Sequence, residues 1–369
     1  MTERSIPFTE LVQSLPATVP FVGPEAIERQ RGRTFEARTG ANESAFGVSP
    51  KAAAAMGEAV ERISWYGDPE SFDLRQALAA KHGVAMEEIC VGGGIDELLG
   101  LVVRMTVTPG TPVVTSLGAY PTFNYHVAGF GGRLVTVPYV DDREDPASLL
   151  AAVGKERTPL VYLANPDNPM GTWQEAGAVA DFVAALPQGC LLVLDEAYIE
   201  FAPEGLAPPL DTSDPRVMRM RTFSKAHGMA GARIGYAIAH RELITGLNKI
   251  RNHFGLNRIA QAGALASLDD PAFIAQVTAE VAAGREDYYA LAARLGLSTI
   301  PSATNFVAID VGSGERARAI LQALQEEDVF IRMPGVPPLD RCIRVTVGRP
   351  EERALFAAAF ERVLAALPA

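Results

Sequence analysis

The segment RTFSKAHGMAGARIGYA, residues 221–237, sets Lys225 between two hydroxyl residues, Thr222 and Ser224, and a run of glycines, with Arg233 eight positions on. Two hydroxyls and two cations converging on one point would suit a phosphate. The lysine among them could also act as an amine nucleophile. Two further stretches offer partners. PLVYLA runs into Asn165-Pro166-Asp167-Asn168-Pro169-Met170-Gly171, and LLVL runs into Asp195-Glu196-Ala197-Tyr198. Open parallel sheets bind ligands beyond the carboxyl ends of their strands. Three such ends would gather an amide, a carboxylate, a phenol and an amine around one crevice.

That set matches the needs of pyridoxal phosphate, an electron sink whose Schiff-base lysine and pyridinium partner come from the protein. Lys225 is the expected lysine. A free lysine, with a pKa near ~10.4, is a poor base at neutral pH, and burial with cationic neighbours would lower that value. Asp195 would keep the pyridine nitrogen protonated, and Asn168 and Tyr198 would hydrogen-bond the ring's phenolic oxygen. Thr222, Ser224 and Arg233 would hold the phosphate. VGGGIDELLGLVVR adds a helix start after glycines, where backbone N–H groups favour anions. As a dinucleotide fingerprint it fails, since Gly92-x-Gly94-x-x-Glu97 lacks the third glycine.

The elements that must position these groups are legible as alternation. KAAAAMGEAVERI and ESFDLRQALAAKHG read as helices, the second ending at Gly83. The β-rich runs TPVVTS, RLVTVPY, PLVYLAN, LLVLDEAY, VMRMRTFS and RIGYAIA follow, several of them separated by helical stretches such as EAGAVADFVAALPQG. Strands apolar on both faces predict an α/β architecture with a mostly parallel sheet between helices. Residues 1–50, rich in Pro and Gly, predict an extended arm, residues 51–250 a large domain, and residues 251–369 a smaller α+β domain with NFVAID, VFIRMP and RCIRVTVG as strands.

Composition narrows the partners. With 33 Lys+Arg against 44 Asp+Glu, the net charge of −11 disfavours binding to nucleic acid or an anionic membrane. No apolar run approaches the ~20 residues of a bilayer span. The start MTERSIPFTELVQ has no apolar signal core. Three separated cysteines fit a reducing, cytoplasmic setting and argue against a disulfide framework or a zinc site. The five histidines show no ligand spacing, so no metal is expected. His227 is expected to pack.

Along nearly its whole length the chain resembles fold-type I, class I/II aminotransferases, and among them the histidinol-phosphate aminotransferases. The resemblance rests on VPFVGPEAIE, ANESAFGVSP, WYGDPESFDLRQAL, VGGGIDELL, YPTF, NPDNPMG, LDEAYIEF, RTFSKAHGMAGARIGY, PSATNFV and CIRVTVGRPEE in this order. It implies the three-layer fold type I with a mostly parallel central sheet, the arm packing on the small domain, and a homodimer with composite active sites. By the same resemblance Phe123 would stack on the cofactor ring, and Gly94, Ile95 and Asp96 would contact its phosphate at the helix start. Tyr66 would reach the phosphate of the other subunit. Arg344 would grip the substrate α-carboxylate in a bidentate fork, with Asn305 nearby.

Four departures bear on the substrate. Phe21 stands where these enzymes usually carry a tyrosine whose hydroxyl contacts the substrate phosphate. Asn42 lies in ANESA, which replaces an Asn-Glu-Asn-Pro stretch at the pocket entrance. Ile95 replaces a small or hydroxyl residue, and Asn252-His253-Phe254-Gly255 replaces a Pro-aromatic pair. Arg332 resembles the family's second substrate-side arginine, or else is a solvated surface residue. The resemblance therefore implies amino transfer between a donor, histidinol phosphate first, and a 2-oxo acid such as 2-oxoglutarate. Phe21 and Phe46 leave an aromatic or hydrophobic amino acid open as donor. A phosphothreonine decarboxylase on the same scaffold, or a non-catalytic cofactor- or nucleotide-binding module, is the alternative from another class.

Overall fold

The computed structural model describes residues 6–17 and 21–367. Its centre is a seven-stranded sheet. In spatial order the strands are Ile89–Gly92, Gly235–Ala239, Val217–Thr222, Leu191–Asp195, Leu160–Ala164, Pro112–Ser116 and Arg133–Val137. Gly235–Ala239 runs antiparallel to both of its neighbours, and the remaining pairs are parallel. Six strands therefore point their carboxyl ends to one edge, as the apolar runs predict. Leu160–Ala164 and Leu191–Asp195 are buried at every position, which is why they read as continuous hydrophobic stretches rather than alternating ones.

Helices cover both faces. Ile95–Thr106 and the Phe123 segment pack on one face around Leu98, Val102, Val127 and Tyr162. Pro146–Glu156 and Ala176–Ala185 cover the other through Leu149, Val153, Val179 and Phe182. The helix Phe72–His82 stops at Gly83, which takes a left-handed φ of 65° and donates its N–H to Ala79 O, the backbone conformation glycine permits at a helix end.

The second unit is an antiparallel three-stranded sheet, Cys342–Thr346, Phe306–Asp310 and Ser298–Ile300, under the helices Pro271–Arg294, Gly314–Glu326 and Pro350–Ala366. Tyr288, Phe306, Phe356 and Phe360 form its aromatic centre. VFIRMP contributes only the two-residue strand Val329–Phe330, which pairs in parallel with Ala37–Arg38 of the arm. The helix Arg258–Leu268 lies beyond residue 250 yet packs on Pro50–Val60 and joins the cluster of Leu74, Leu78, Phe223 and Met229. We propose that the junction between the two units falls near residue 270, at the start of the 24-residue helix Pro271–Arg294.

Candidate active site

The sheet edge brings the expected groups together because three adjacent parallel strands end there in register. Ala164 pairs with Asp195, and Asp195 with Met220. The segments after them, from Asn165, Glu196 and Phe223, therefore leave the sheet side by side. The small unit closes the crevice from above with Arg344, the arm with Asn42.

Lys225 is half-buried, and its Nζ donates to the backbone oxygen of Asn42 at 3.0 Å. That oxygen also accepts from Asn305 Nδ2 at 3.2 Å. The Asn42 side chain donates to Tyr198 Oη at 2.9 Å and accepts from Thr346 Oγ1 at 3.1 Å. Asn42 thus ties the lysine, the phenol and the small unit at one point, from a left-handed φ of 56°. Burial pulls the Lys225 pKa down to about 8, and Arg344 pushes the same way. Burial also raises Tyr198 to about 12, so the phenol keeps its proton.

The sign of the lysine shift is checkable. Burial disfavours the ammonium, so the neutral amine appears above about pH 8 instead of near 10. Acetylation of Lys225, followed by mass spectrometry of its peptide, is expected to show its rate midpoint near pH 8. A midpoint near that of exposed lysines would contradict the site geometry.

Asp195 accepts from Tyr162 Oη at 2.8 Å on one oxygen and from Ala197 N at 3.0 Å on the other. Burial raises its pKa to about 6, opposed by these donors and by Lys225. Phe123 is fully buried, its ring stacked on Tyr162 at 4.7 Å. Asn168 is engaged by Arg344, whose Nη1 donates to Asn168 Oδ1. The Nε of Arg344 and the Oδ1 of Asn305 are buried with no hydrogen-bond partner among the described residues. Left so, they cost on the order of 1–3 kcal/mol each.

The other end of the crevice has the donors of an anion cradle. Thr222 Oγ1 donates to Ser224 Oγ at 2.9 Å. Arg233 lies across Gly94, where a Cβ would meet its Nη2 at 2.6 Å with φ at +91°. Only glycine allows the guanidinium this close to the start of the helix Ile95–Thr106, whose first N–H groups lack helical acceptors. The Ile95 side chain is buried in the core, so it offers its backbone alone. The Asp96 side chain pairs with His126 Nε2 at 2.9 Å.

Of the remaining expected residues, Tyr66 lies apart from this cluster, and Phe21 and Arg332 border it beside Arg344. Tyr66 is 78% exposed and packs on Phe254 at 4.8 Å, away from its own chain's lysine. Phe21 covers the Arg332 guanidinium at 4.1 Å, and Arg332 Nη2 donates to Val22 O. Arg332 is the antiparallel bridge partner of Arg344, so the two arginines stand side by side, and burial with that neighbour lowers Arg332 to about 10. His227 is buried and bonded to Ser267 Oγ at 2.6 Å.

Residue reading missed Tyr162 and Thr346. Tyr162 sits two residues before Ala164, the register partner of Asp195. Side chains two apart share a sheet face, so the period was present in PLVYLA, but the strand pairing that makes it matter was not.

Gly228 adds a test of the crevice wall. Its φ is +70°, and a Cβ there would fall 1.8 Å from Gly47 O of the arm. Gly228→Ala is expected to destabilise the protein by about 2–4 kcal/mol, from overpacking plus left-handed strain. An unchanged thermal unfolding midpoint would contradict this close approach.

A buried acid, a phenol, a lowered-pKa amine and a cationic cradle fit a flat, anionic, nitrogen-containing ring with a phosphate tail. No cluster of His, Cys, Asp or Glu able to hold a metal ion is present among the described residues. Comparison with known proteins agrees in kind. The family model described as aminotransferase class I and II matches residues 39–360. Histidinol-phosphate aminotransferase 2 of Carboxydothermus hydrogenoformans is 35% identical over 96% of this chain and 98% of its own length. Histidinol-phosphate aminotransferase of Anaeromyxobacter sp. is 38% identical over 96% and 98%. A crystal structure of histidinol-phosphate aminotransferase from Sinorhizobium meliloti, in complex with pyridoxal-5'-phosphate, superposes with a TM-score of 0.96 at 53% identity over the whole of both chains.

Proposed function

Because the chain belongs to the class I and II aminotransferases, we propose that it transfers the amino group of histidinol phosphate to 2-oxoglutarate with pyridoxal 5'-phosphate as cofactor. The observation that carries the substrate choice is the whole-chain likeness to a histidinol-phosphate aminotransferase at 53% identity. The fold is the fold-type I α/β architecture of these enzymes.

The cofactor, when bound, supplies an electron sink for charge released at the substrate's α-carbon. The chain's residues do the rest. Lys225 Nζ holds the cofactor and moves the proton away from the substrate's α-carbon, a task its lowered pKa suits at neutral pH. Asp195 holds a proton on the ring nitrogen. Asn168 and Tyr198 orient the ring's phenolic oxygen, Tyr198 itself held by Asn42. Phe123 packs on the ring. Thr222, Ser224, Arg233 and the backbone of Gly94, Ile95 and Asp96 hold the phosphate.

Arg344 receives the anionic group nearest the reacting carbon, a carboxylate in the 2-oxo acid and the phosphate in histidinol phosphate. Its unpaired Nε gives it a free donor for that contact. Arg332 stands beside it as a second cation, with Phe21 stacked over it. The hydroxyl that a tyrosine would supply at position 21 is replaced by this stack.

Val60, Ile63, Trp65, Tyr66 and Phe254 are more than half exposed, a patch that a second copy would bury. We place Tyr66 at the partner's phosphate in a homodimer, with a light-scattering mass of twice 39.3 kDa as the expected result. No helix of the described residues is long and apolar enough to cross a membrane. The three cysteines are buried and free, and we assign the enzyme to the cytoplasm.

The test is kcat/KM with histidinol phosphate, phenylalanine, glutamate and phosphothreonine as separate donors. Histidinol phosphate is expected to lead phenylalanine by at least about tenfold, the value of one charged hydrogen bond. A lead for phenylalanine would move the substrate to the aromatic class. Carbon dioxide release from phosphothreonine would overturn the reaction type.

A further inference from the structure

We infer that Tyr162 is a positioning residue for Asp195: its phenol holds the carboxylate in orientation and in the charged form, while its ring backs Phe123. The inference rests on the cofactor reading above and adds a residue to it. Tyr162 is 1% exposed, in the middle of the strand Leu160–Ala164. Its hydroxyl donates to Asp195 Oδ2 at 2.8 Å, and Ala197 N donates to Oδ1 at 3.0 Å. Two donors on two oxygens stop the carboxylate from rotating. Removal of the phenol would leave one oxygen unpaired in a buried setting, which costs more than the bond contributes.

The ring has a second contact. Phe123 lies on it at 4.7 Å with an interplanar angle of 21°. One side chain therefore links the acid meant for the ring nitrogen to the aromatic platform meant for the ring face. A single shift of Tyr162 would displace both.

The charge argument points the same way. Burial pushes Asp195 towards its neutral form, whereas Tyr162 and Ala197 N oppose it. Lys225 also favours the carboxylate, and Glu196 disfavours it. Glu144, Tyr120 and Tyr198 stand within electrostatic reach of the acid as well. Of the side chains among these, Tyr162 is the one bonded to the Asp195 carboxylate. A neutral Asp195 could not act as the anionic partner of a protonated ring nitrogen.

Tyr162→Phe keeps the ring and deletes the hydroxyl, and the readout is pyridoxal phosphate affinity of the apo-protein, measured by absorbance titration across pH. Y162F is expected to bind about tenfold more weakly at pH 7. The pH below which affinity falls is expected to rise by about one unit, since a tenfold change in ionisation is one pKa unit. In a D195N background the same substitution is expected to change affinity less than about twofold, because its partner charge is gone. Equal losses in both backgrounds, or an unmoved pH midpoint, would overturn the assignment. So would a Y162F chain that fails to fold, which would make the hydroxyl a requirement of the core. Wild-type protein that takes up no pyridoxal phosphate would instead refute the cofactor reading and is distinguished at the first titration.

Discussion

Lys225→Ala is expected to lower kcat by at least about 10⁴-fold while the chain stays folded and still binds the cofactor non-covalently. General acid–base catalysis alone contributes typically 10²–10⁴-fold, and the covalent hold of the amine is lost besides. Lys225→Arg separates proton transfer from charge. It keeps a cation beside Asn42 O but supplies no neutral amine below about pH 12, so its loss is expected to be as large. A K225R variant within about tenfold of wild type would mean that Lys225 acts through its charge. Thermal unfolding of the apo forms checks the remainder. The ammonium is held in a site that lowers its pKa to about 8, so replacing it by alanine is not expected to destabilise the protein.

Asp195→Asn is expected to lower kcat by about 10²–10³-fold, the loss typical of one preorganised electrostatic contact. The geometry predicts retained folding, since the Asn Oδ1 can still accept from Ala197 N while its Nδ2 donates to Tyr162 Oη in place of the second bond. The pH profile gives a second, independent reading. Burial pushes the Asp195 carboxyl up to about 6 in the cofactor-free chain. Its carboxylate is present above that value and lost below it. Pyridoxal phosphate affinity of the wild-type apo-protein is therefore expected to fall as pH drops through about 6, where the anionic partner of the ring nitrogen is lost. The acid limb is expected to flatten in D195N. An unchanged limb would assign it to another group. Asp167, raised to about 7 by burial against the opposing pull of its Tyr139 hydrogen bond and of Arg344, is the nearest competitor.

The convergence of the strand ends that carry Lys225, Asp195 and Asn168 is legible because polar residues at the ends of apolar strands have few structural uses, and parallel neighbours end at one sheet edge. Alternation of strand and helix carried the large sheet for the same physical reason: a strand buried on both faces must be apolar throughout. The reversed direction of Gly235–Ala239 was not legible, since burial is equal for either orientation. ICVG was missed as a strand because four apolar or small residues before glycines resemble a loop. Arg258–Leu268 looked like part of the small unit from its Ala-rich texture. Its small side chains instead allow close approach to Pro50–Val60, a fact about the partner helix that no local pattern carries.

At the site, the shortfall was in side chains that serve other side chains. Asn42 reaches Lys225 through a backbone oxygen, and a sequence records no backbone direction. His126 takes up Asp96, and Phe21 takes up Arg332, across gaps of 30 and 311 positions respectively. Ile95 looked like a lost donor but belongs to the core on its side-chain face and to the crevice on its backbone face.

The most direct test is a single half-reaction. Protein reconstituted with pyridoxal phosphate is mixed with one equivalent of histidinol phosphate, without any 2-oxo acid, and its visible spectrum is followed. The account predicts loss of the lysine-bound cofactor band, appearance of the amino form of the cofactor, and one equivalent of oxo product per active site. A band that persists with histidinol phosphate yet converts with another amino acid would contradict the substrate, and a band that no donor converts would contradict the aminotransferase itself.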